Sequence, residues 1–217
     1  MKESPIRLVA FDMEGCLTAD PTVWELMHRR LDTWTSHGLP YWERYRAGGL
    51  DYDEFARMDV AVWRGAPVED LRAASADVPL MAGCPEVLAA LAERGVAVAV
   101  VSNGLLCVAE RFSKGFAVAH THANRVVVRD GRLTGELDVR VPYAAKGILL
   151  GRLAARLGLD RSAVASVGDS PSDVAMFRRS RIGIAFGAAD AVTRAGAAHV
   201  VPGEDLRAVL PILLDGS

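Results

Sequence analysis

Two carboxylates one residue apart, Asp12 and Glu14, follow directly on the apolar, β-rich run Ile6-Arg7-Leu8-Val9-Ala10-Phe11 and precede Gly15. Such a run is a strand that delivers acids to a loop, and in open parallel sheets reactive groups gather just beyond the carboxyl ends of the strands. Two later apolar runs end in a similar way. Val100-Val101 leads into Ser102-Asn103-Gly104, and Val167-Gly168 leads into Asp169-Ser170-Pro171-Ser172-Asp173. Lys146 stands near the start of the helix expected before the second of these. Singly each is weak, because Ser-Asn-Gly is a common turn, Asp and Ser are frequent helix caps, and a lone lysine is usually solvated.

Charge gives a reason for them to belong together. Asp12, Glu14, Asp169 and Asp173 on one rim would repel one another and any anionic ligand. A divalent, oxygen-seeking cation resolves this, and Mg²⁺ suits a site with few carboxylates that also holds waters and a phosphate. Lys146 adds a compact positive charge suited to phosphate. The Ser102 hydroxyl and the backbone N–H groups of Asn103 and Gly104, where a helix is expected to start, can hold phosphate oxygens. The set specifies one metal, one phosphate and one nucleophile.

The elements that must position these residues follow from periodicity and punctuation. Residues from about 20 to 79 contain no convincing strand. Asp20 reads as a helix cap with Pro21 at the first position and Gly38 at the end; Trp24, Met27, Leu31 and Trp34 form one apolar stripe that reads as core packing. Asp51 with Glu54 three residues on reads as a capping-box variant opening a helix through Phe55, Met58 and Val62, and a further helix is expected from Pro67 to about Ala76. From Pro79 onward helix and strand alternate. Val96 to Val101 is a strand buried on both faces, and Asp130-Gly131 is a hairpin turn. Helices are expected at 85–94, 105–112, 144–157, 171–178 and 205–214, with strands at 163–167, 182–186 and 199–201. The expected fold is α/β, a Rossmann-like doubly wound parallel sheet built from residues 1–18 and 80–217, with an inserted helical unit at 19–79.

Bulk properties bound the partners. The chain has 217 residues, 51% hydrophobic and 24% charged, with a formal net charge of −2 and no basic block, which excludes a nucleic-acid partner. No run has the length of a signal peptide or membrane span, so no membrane partner is expected. Cys16, Cys84 and Cys107 are odd in number, widely spaced and without CxxC, which suggests neither a disulfide framework nor a zinc site and places the chain in a reducing, cytoplasmic setting. Cys16 has no partner base in sequence and is expected to pack behind the Asp12 loop. The sequence leaves the oligomeric state undefined.

The ordered motifs Asp12-Met13-Glu14-Gly15-Cys16-Leu17-Thr18, Ser102-Asn103-Gly104, Lys146 and Gly168-Asp169-Ser170-Pro171-Ser172-Asp173 resemble those of the haloacid dehalogenase superfamily, in particular its phosphoserine phosphatase-like branch with a helical cap. The resemblance implies hydrolysis of a phosphate monoester of a small metabolite, phosphoserine being the first candidate. It implies Asp12 as nucleophile forming an aspartyl-phosphate and Glu14 as acid and base. Mg²⁺ would be held by Asp12, the Glu14 main-chain carbonyl and Asp169, with Asp173 supporting. Ser102 and Lys146 would stabilise the transferring phosphoryl group. Two departures stand out: Glu14 occupies a position usually held by Asp, and Ser172 one commonly held by Asn. A Glu there also occurs in a relative that passes phosphate to homoserine, so transfer to a second alcohol is compatible with the motif. In the cap, Arg57 falls where the branch grips a substrate carboxylate, and Asp20 or Glu25 would replace the acid that reads the ammonium. A receiver-type signalling domain or a non-catalytic phosphate-binding relic is the contrasting reading; Ser102, rather than a phosphoacceptor Asp, after Val101 and the helical insertion argue against the first, and the intact Asp12, Lys146 and Asp169 against the second.

Overall fold

Seven strands, β1 (Leu8–Phe11), β2 (Ala97–Leu105), β3 (Val118–Arg129), β4 (Arg132–Asp138), β5 (Val164–Gly168), β6 (Ile182–Phe186) and β7 (His199–Val201), form one sheet in the order β4-β3-β2-β1-β5-β6-β7. The computed structural model describes residues 6–187 and 189–215. Every neighbouring pair is parallel except β3 and β4. That hairpin turns at Asp130-Gly131, both with positive φ (49° and 75°), as an Asp-Gly turn of this kind requires. The sheet is therefore mixed rather than wholly parallel. Strand order reverses at β1, whose neighbours are β2 on one side and β5 on the other, so the crevice between β1 and β5 is the topological switch point.

Alternation along β1 and β2 divides the core. Leu8, Ala10, Ala99 and Val101 pack with Leu150 and Leu153 of α7 (Lys146–Arg156). Val9, Phe11, Val98 and Val100 point the other way, into a larger cluster with Val87 and Leu91 of α5 (Cys84–Glu93) and Val108 and Phe112 of α6 (Leu106–Gly115). Both faces of the sheet are thus covered, and β1 is buried along its length. β2 runs on to Leu105, so Ser102, Asn103 and Gly104 belong to the strand's end and the following helix begins only at Leu106.

Between β1 and α5 lie α1 (Val23–Arg30), α2 (Leu39–Arg46), α3 (Tyr52–Val62) and α4 (Val68–Asp77). Asp51 caps α3 as expected, accepting the Glu54 N–H at 2.7 Å. The cap of α1 is Thr22, whose hydroxyl accepts from Glu25 N–H, rather than Asp20. Gly38 does not end a helix. It joins a π-helical turn, Trp34–Gly38, to α2, and a Cβ there would stand 2.6 Å from the Trp34 ring and 2.8 Å from the His28 ring. The glycine is required by packing, which sequence punctuation does not distinguish from a stop. Trp24 and Met27 of the stripe are buried in the sheet's larger cluster together with Ala56, Val60 and Trp63, whereas Leu31 and Trp34 are only half-buried.

Backbone hydrogen bonds join these helices to the sheet at two places. Ala19 N–H donates to the Pro79 carbonyl (3.0 Å) and Met81 N–H to that of Leu17 (2.9 Å), so the outgoing and returning chains are paired. The α3–α4 connection is bonded to the β3–β4 hairpin through Gly65 N–H to Leu133 O (2.8 Å), Leu133 N–H to Ala66 O (2.9 Å) and Val68 N–H to Gly131 O (2.9 Å).

One buried side chain fixes the loop that delivers Lys146. Asn124 on β3 accepts the Arg140 and Val141 N–H groups on its Oδ1, both at 2.8 Å, and donates from Nδ2 to the Asn103 carbonyl at 2.6 Å. Asn103 in turn donates from Nδ2 to the Val141 carbonyl at 2.9 Å. Asn124→Ala strands the buried Val141 N–H, the partly buried Arg140 N–H and the Asn103 carbonyl, a loss of about 2–4 kcal/mol. The expected drop in the thermal midpoint is about 5–15 °C; differential scanning calorimetry showing an unchanged midpoint would contradict this role.

Candidate active site

The carboxyl ends of β1 and β5 bring Asp12 and Asp169 to the switch point, and α7 begins with Lys146 beneath them. Lys146 is buried, with Nζ 2.7 Å from Asp12 Oδ2 and 2.7 Å from Asp173 Oδ1. Burial disfavours its charge, but the two adjacent carboxylates outweigh burial and push its pKa up, so the ammonium stays protonated. The other Asp12 oxygen, Oδ1, accepts the Met13 N–H at 2.7 Å.

Asp173 is fully engaged. Its Oδ2 accepts the backbone N–H groups of Asp169 (3.1 Å) and Ser170 (3.0 Å) and the Ser170 hydroxyl (3.0 Å), in a capping box on the turn Pro171–Asp173 that precedes α8 (Val174–Phe177). Asp173 therefore positions both Lys146 and the Asp169 loop. Ser172 is buried with its hydroxyl 2.9 Å from that of Ser170.

Asp12, Asp169 and Asp173 offer carboxylate oxygens within 4.8 Å of one another. Burial first, then the charges of Asp12 and Asp173, push the Asp169 carboxyl well above its usual range. An all-oxygen donor set under like-charge strain fits a hard divalent cation, with Lys146 neutralising only part of the excess. Gly15 makes the close approach possible. Its φ is +76°, and a Cβ at this position would lie 2.2 Å from Asp169 Oδ2.

Glu14 reaches the same cavity from the loop. Its Oε2 accepts the Trp24 indole N–H at 3.3 Å, and Oε1 is shut off from solvent without a hydrogen-bond partner among the described residues. Burial and the neighbouring Asp12 charge push its carboxyl up to about 7, which suits a group that carries and returns a proton. Ser102 is buried, and its Oγ accepts the Gly104 N–H at 3.0 Å. The Asn103 side chain is turned to Val141, so its amide holds the loop rather than the cavity contents. Cys16 is buried and its thiol is pushed well up, by burial first and by Asp169 next, in keeping with packing behind the loop.

A cavity of about 930 Å³ opens above Asp12, Glu14, Ser102 and Asp169. Asp20 and Glu25 line it, Asp20 exposed and Glu25 tied to Arg29 at 2.6 Å. Arg57 does not line it. Its side chain is exposed, donates from Nη1 to the Asp53 carbonyl (3.2 Å) and lines an adjoining groove that shares Tyr45, Tyr52 and Tyr143 with the cavity. Helical geometry explains the placement: Tyr52, Phe55 and Asp59 form the stripe of α3 that lines the cavity, and Arg57, two residues beyond Phe55, points away from that stripe. The residue presented in its place, Asp59, is buried against His28, with His28 Nε2 at 3.1 Å.

Sequence reading missed Asn124, the Trp24–Glu14 contact and the part played by Ser170. Trp24 was visible in the apolar stripe; Asn124, distant in sequence from every motif, carried no signal.

Residues 9–178 match the family of haloacid dehalogenase-like hydrolases. The chain is 27% identical over 214 residues to the phosphoserine phosphatase of Methanocaldococcus jannaschii, covering 96% of this chain and 98% of that protein. It is 30% identical over 183 residues to the phosphoserine phosphatase of Archaeoglobus fulgidus, covering 84% of this chain and 53% of that protein. The fold superposes on a phospho-aspartyl intermediate analogue of phosphoserine phosphatase with a TM-score of 0.86 at 26% identity, covering 96% of this chain and 99% of the other. The match to a substrate-bound phosphoserine phosphatase complex has a TM-score of 0.87 at 26% identity, with 96% and 98% covered. With its motifs gathered at the β1–β5 crevice and helices inserted above them, the chain belongs to the haloacid dehalogenase-like hydrolases and is related to their phosphoserine phosphatases.

Proposed function

We propose that this hydrolase is a Mg²⁺-dependent phosphomonoesterase that works through an aspartyl-phosphate on Asp12. The observation that carries the reading is the buried Lys146 ammonium bridging Asp12 and Asp173 beside the Asp169 oxygens, with a protonatable Glu14 at the same cavity. An Asp12 carboxylate oxygen attacks phosphorus as the bond from phosphorus to the leaving oxygen breaks. Glu14 gives its proton to that leaving alkoxide. Glu14 then takes a proton from the water that attacks the aspartyl-phosphate, releasing inorganic phosphate and restoring the Asp12 carboxylate. Lys146 and the Ser102 hydroxyl offset charge on the transferring group. A divalent cation, when held by Asp12, the Glu14 carbonyl and Asp169, supplies the positive charge that lets a phosphate dianion approach these acids.

In this reading residues 19–79 are the cap and 1–18 with 80–217 the core, of which 1–5, 188, 216 and 217 lie outside the described residues. The substrate is a small phosphorylated metabolite. Phosphoserine is the compound in the relatives' names, but Arg57, offered by the sequence for its carboxylate, lines the adjoining groove rather than the cavity that holds Asp12. The broader reading is therefore favoured, with transfer to water or, as Glu14 allows, to a second alcohol. Three free cysteines support a reduced, cytoplasmic setting, and among the described residues no helix is long and apolar enough to cross a membrane.

Asp12→Asn is expected to lower Mg²⁺-dependent phosphate release from p-nitrophenyl phosphate by at least about a thousandfold, and near-normal turnover would remove Asp12 as nucleophile. In the first step alone, read as the pre-steady-state burst of released alcohol, Glu14→Gln is expected to slow phosphoryl transfer from alkyl phosphates by about 10²–10⁴ and from aryl phosphates, whose leaving groups need little protonation, much less. Equal losses on both substrates would count against the acid role. Chelation with EDTA is expected to stop turnover and excess Mg²⁺ to restore it; activity persisting in chelator would show that the Asp12–Asp169 oxygens need no metal.

A further inference from the structure

The cap presents to Asp12 a wall of aromatic rings. Trp24, Trp42, Tyr45, Tyr52 and Phe55 line the cavity that holds Asp12 and Glu14. The rings are continuous: Phe55 lies 5.9 Å from Trp24, 6.0 Å from Trp42 and, nearly parallel, 5.3 Å from Tyr45, and Tyr45 lies 5.8 Å from Tyr52, all centroid to centroid. Core packing accounts for Trp24 and Phe55, which are buried. It does not account for α2, which has no buried residue and yet turns Trp42 and Tyr45 to the cavity, Trp42 remaining 39% exposed. A large apolar surface left open beside reactive carboxylates is a surface for a ligand.

Among the described cap charges that line the cavity, only Asp20 and Arg46 stand outside an ion pair, so an amino-acid head group would have these two alone to bind it. Such a group needs a free cation for its carboxylate and a free anion for its ammonium. Glu25 and Arg29 neutralise each other at 2.6 Å, and Asp59 is buried against His28 at 3.1 Å. The Arg46 guanidinium lies over the Trp42 ring, 5.8 Å from its centroid. At about 930 Å³ the cavity is at the upper end of the range that encloses drug-sized ligands, far larger than one phosphate with a three-carbon chain requires.

We propose, resting on the phosphatase reading above, that the substrate is a phosphate monoester of a ring-bearing alcohol, whose ring lies along Trp42, Phe55 and Tyr45 while its phosphate meets Asp12. The wall selects for this class over small zwitterionic esters such as phosphoserine.

Phosphonates test the assignment without turnover, because their carbon–phosphorus bond leaves no alkoxide for Glu14 to protonate. In titration calorimetry of the wild-type protein with Mg²⁺, 3-phenylpropylphosphonate is expected to bind at least about tenfold more tightly than propylphosphonate, from ring stacking and burial. It is also expected to bind more tightly than 2-amino-4-phosphonobutyrate, which has the shape of phosphoserine. In Trp42→Ala and in Tyr45→Ala the ratio of phenylpropyl to propyl affinity falls toward one. Equal affinity for the two alkyl phosphonates, preference for the amino acid analogue, an unchanged ratio in both variants, or failure of all three to bind would overturn the proposal. The phosphatase reading fails separately, by absence of metal-dependent hydrolysis of p-nitrophenyl phosphate, and the affinity ratios stay readable in that case.

Discussion

A single buried ammonium, that of Lys146, holds the arrangement together. Removing a charge from water is costly unless it is paired with good geometry, and here two carboxylates at 2.7 Å meet that condition. The pairing has consequences in both directions. It fixes Asp12 at the tip of β1, and it ties Asp173, hence the Asp169 loop, to the start of α7. The network still carries more negative than positive charge. Glu14 and Asp169 both rise above their usual range, by burial first and by the neighbouring carboxylate charges next.

Much of the core was legible in the sequence because every motif but Lys146 sits at the end of a buried strand. A run such as Val96 to Val101 can be read as a strand without knowing its neighbours, and the acids that follow such runs must emerge at one edge of a parallel sheet. The Asp130-Gly131 hairpin and the Asp51 cap were legible for the same reason: local backbone chemistry decides them. Gly38 was misread because the pressure on it comes from the Trp34 and His28 rings, which no local rule contains. Asn124 was invisible because its worth lies in three partners, Asn103, Arg140 and Val141, scattered along the chain.

The cap shows where likeness of sequence stops and geometry takes over. Arg57 has the right residue type in a plausible neighbourhood, yet helical periodicity turns it away and gives Tyr52, Phe55 and Asp59 to the cavity. The cap is also not an independent lid of side chains. Trp24 bonds to Glu14 from above, and the α3–α4 connection is bonded by its backbone to the β3–β4 hairpin. The residues that would read an alcohol and the acid that would protonate it are therefore linked through one indole.

The central claim is that Asp12 itself takes the phosphoryl group, and the most direct measurement is peptide mass spectrometry of an acid-quenched reaction. The Glu14→Gln protein mixed with Mg²⁺ and p-nitrophenyl phosphate should form the aspartyl-phosphate readily and hydrolyse it slowly, for lack of the base. The account predicts one added phosphoryl group, located on Asp12. A phosphoryl group on Ser102, Ser170 or another residue, with Asp12 unmodified, would contradict it.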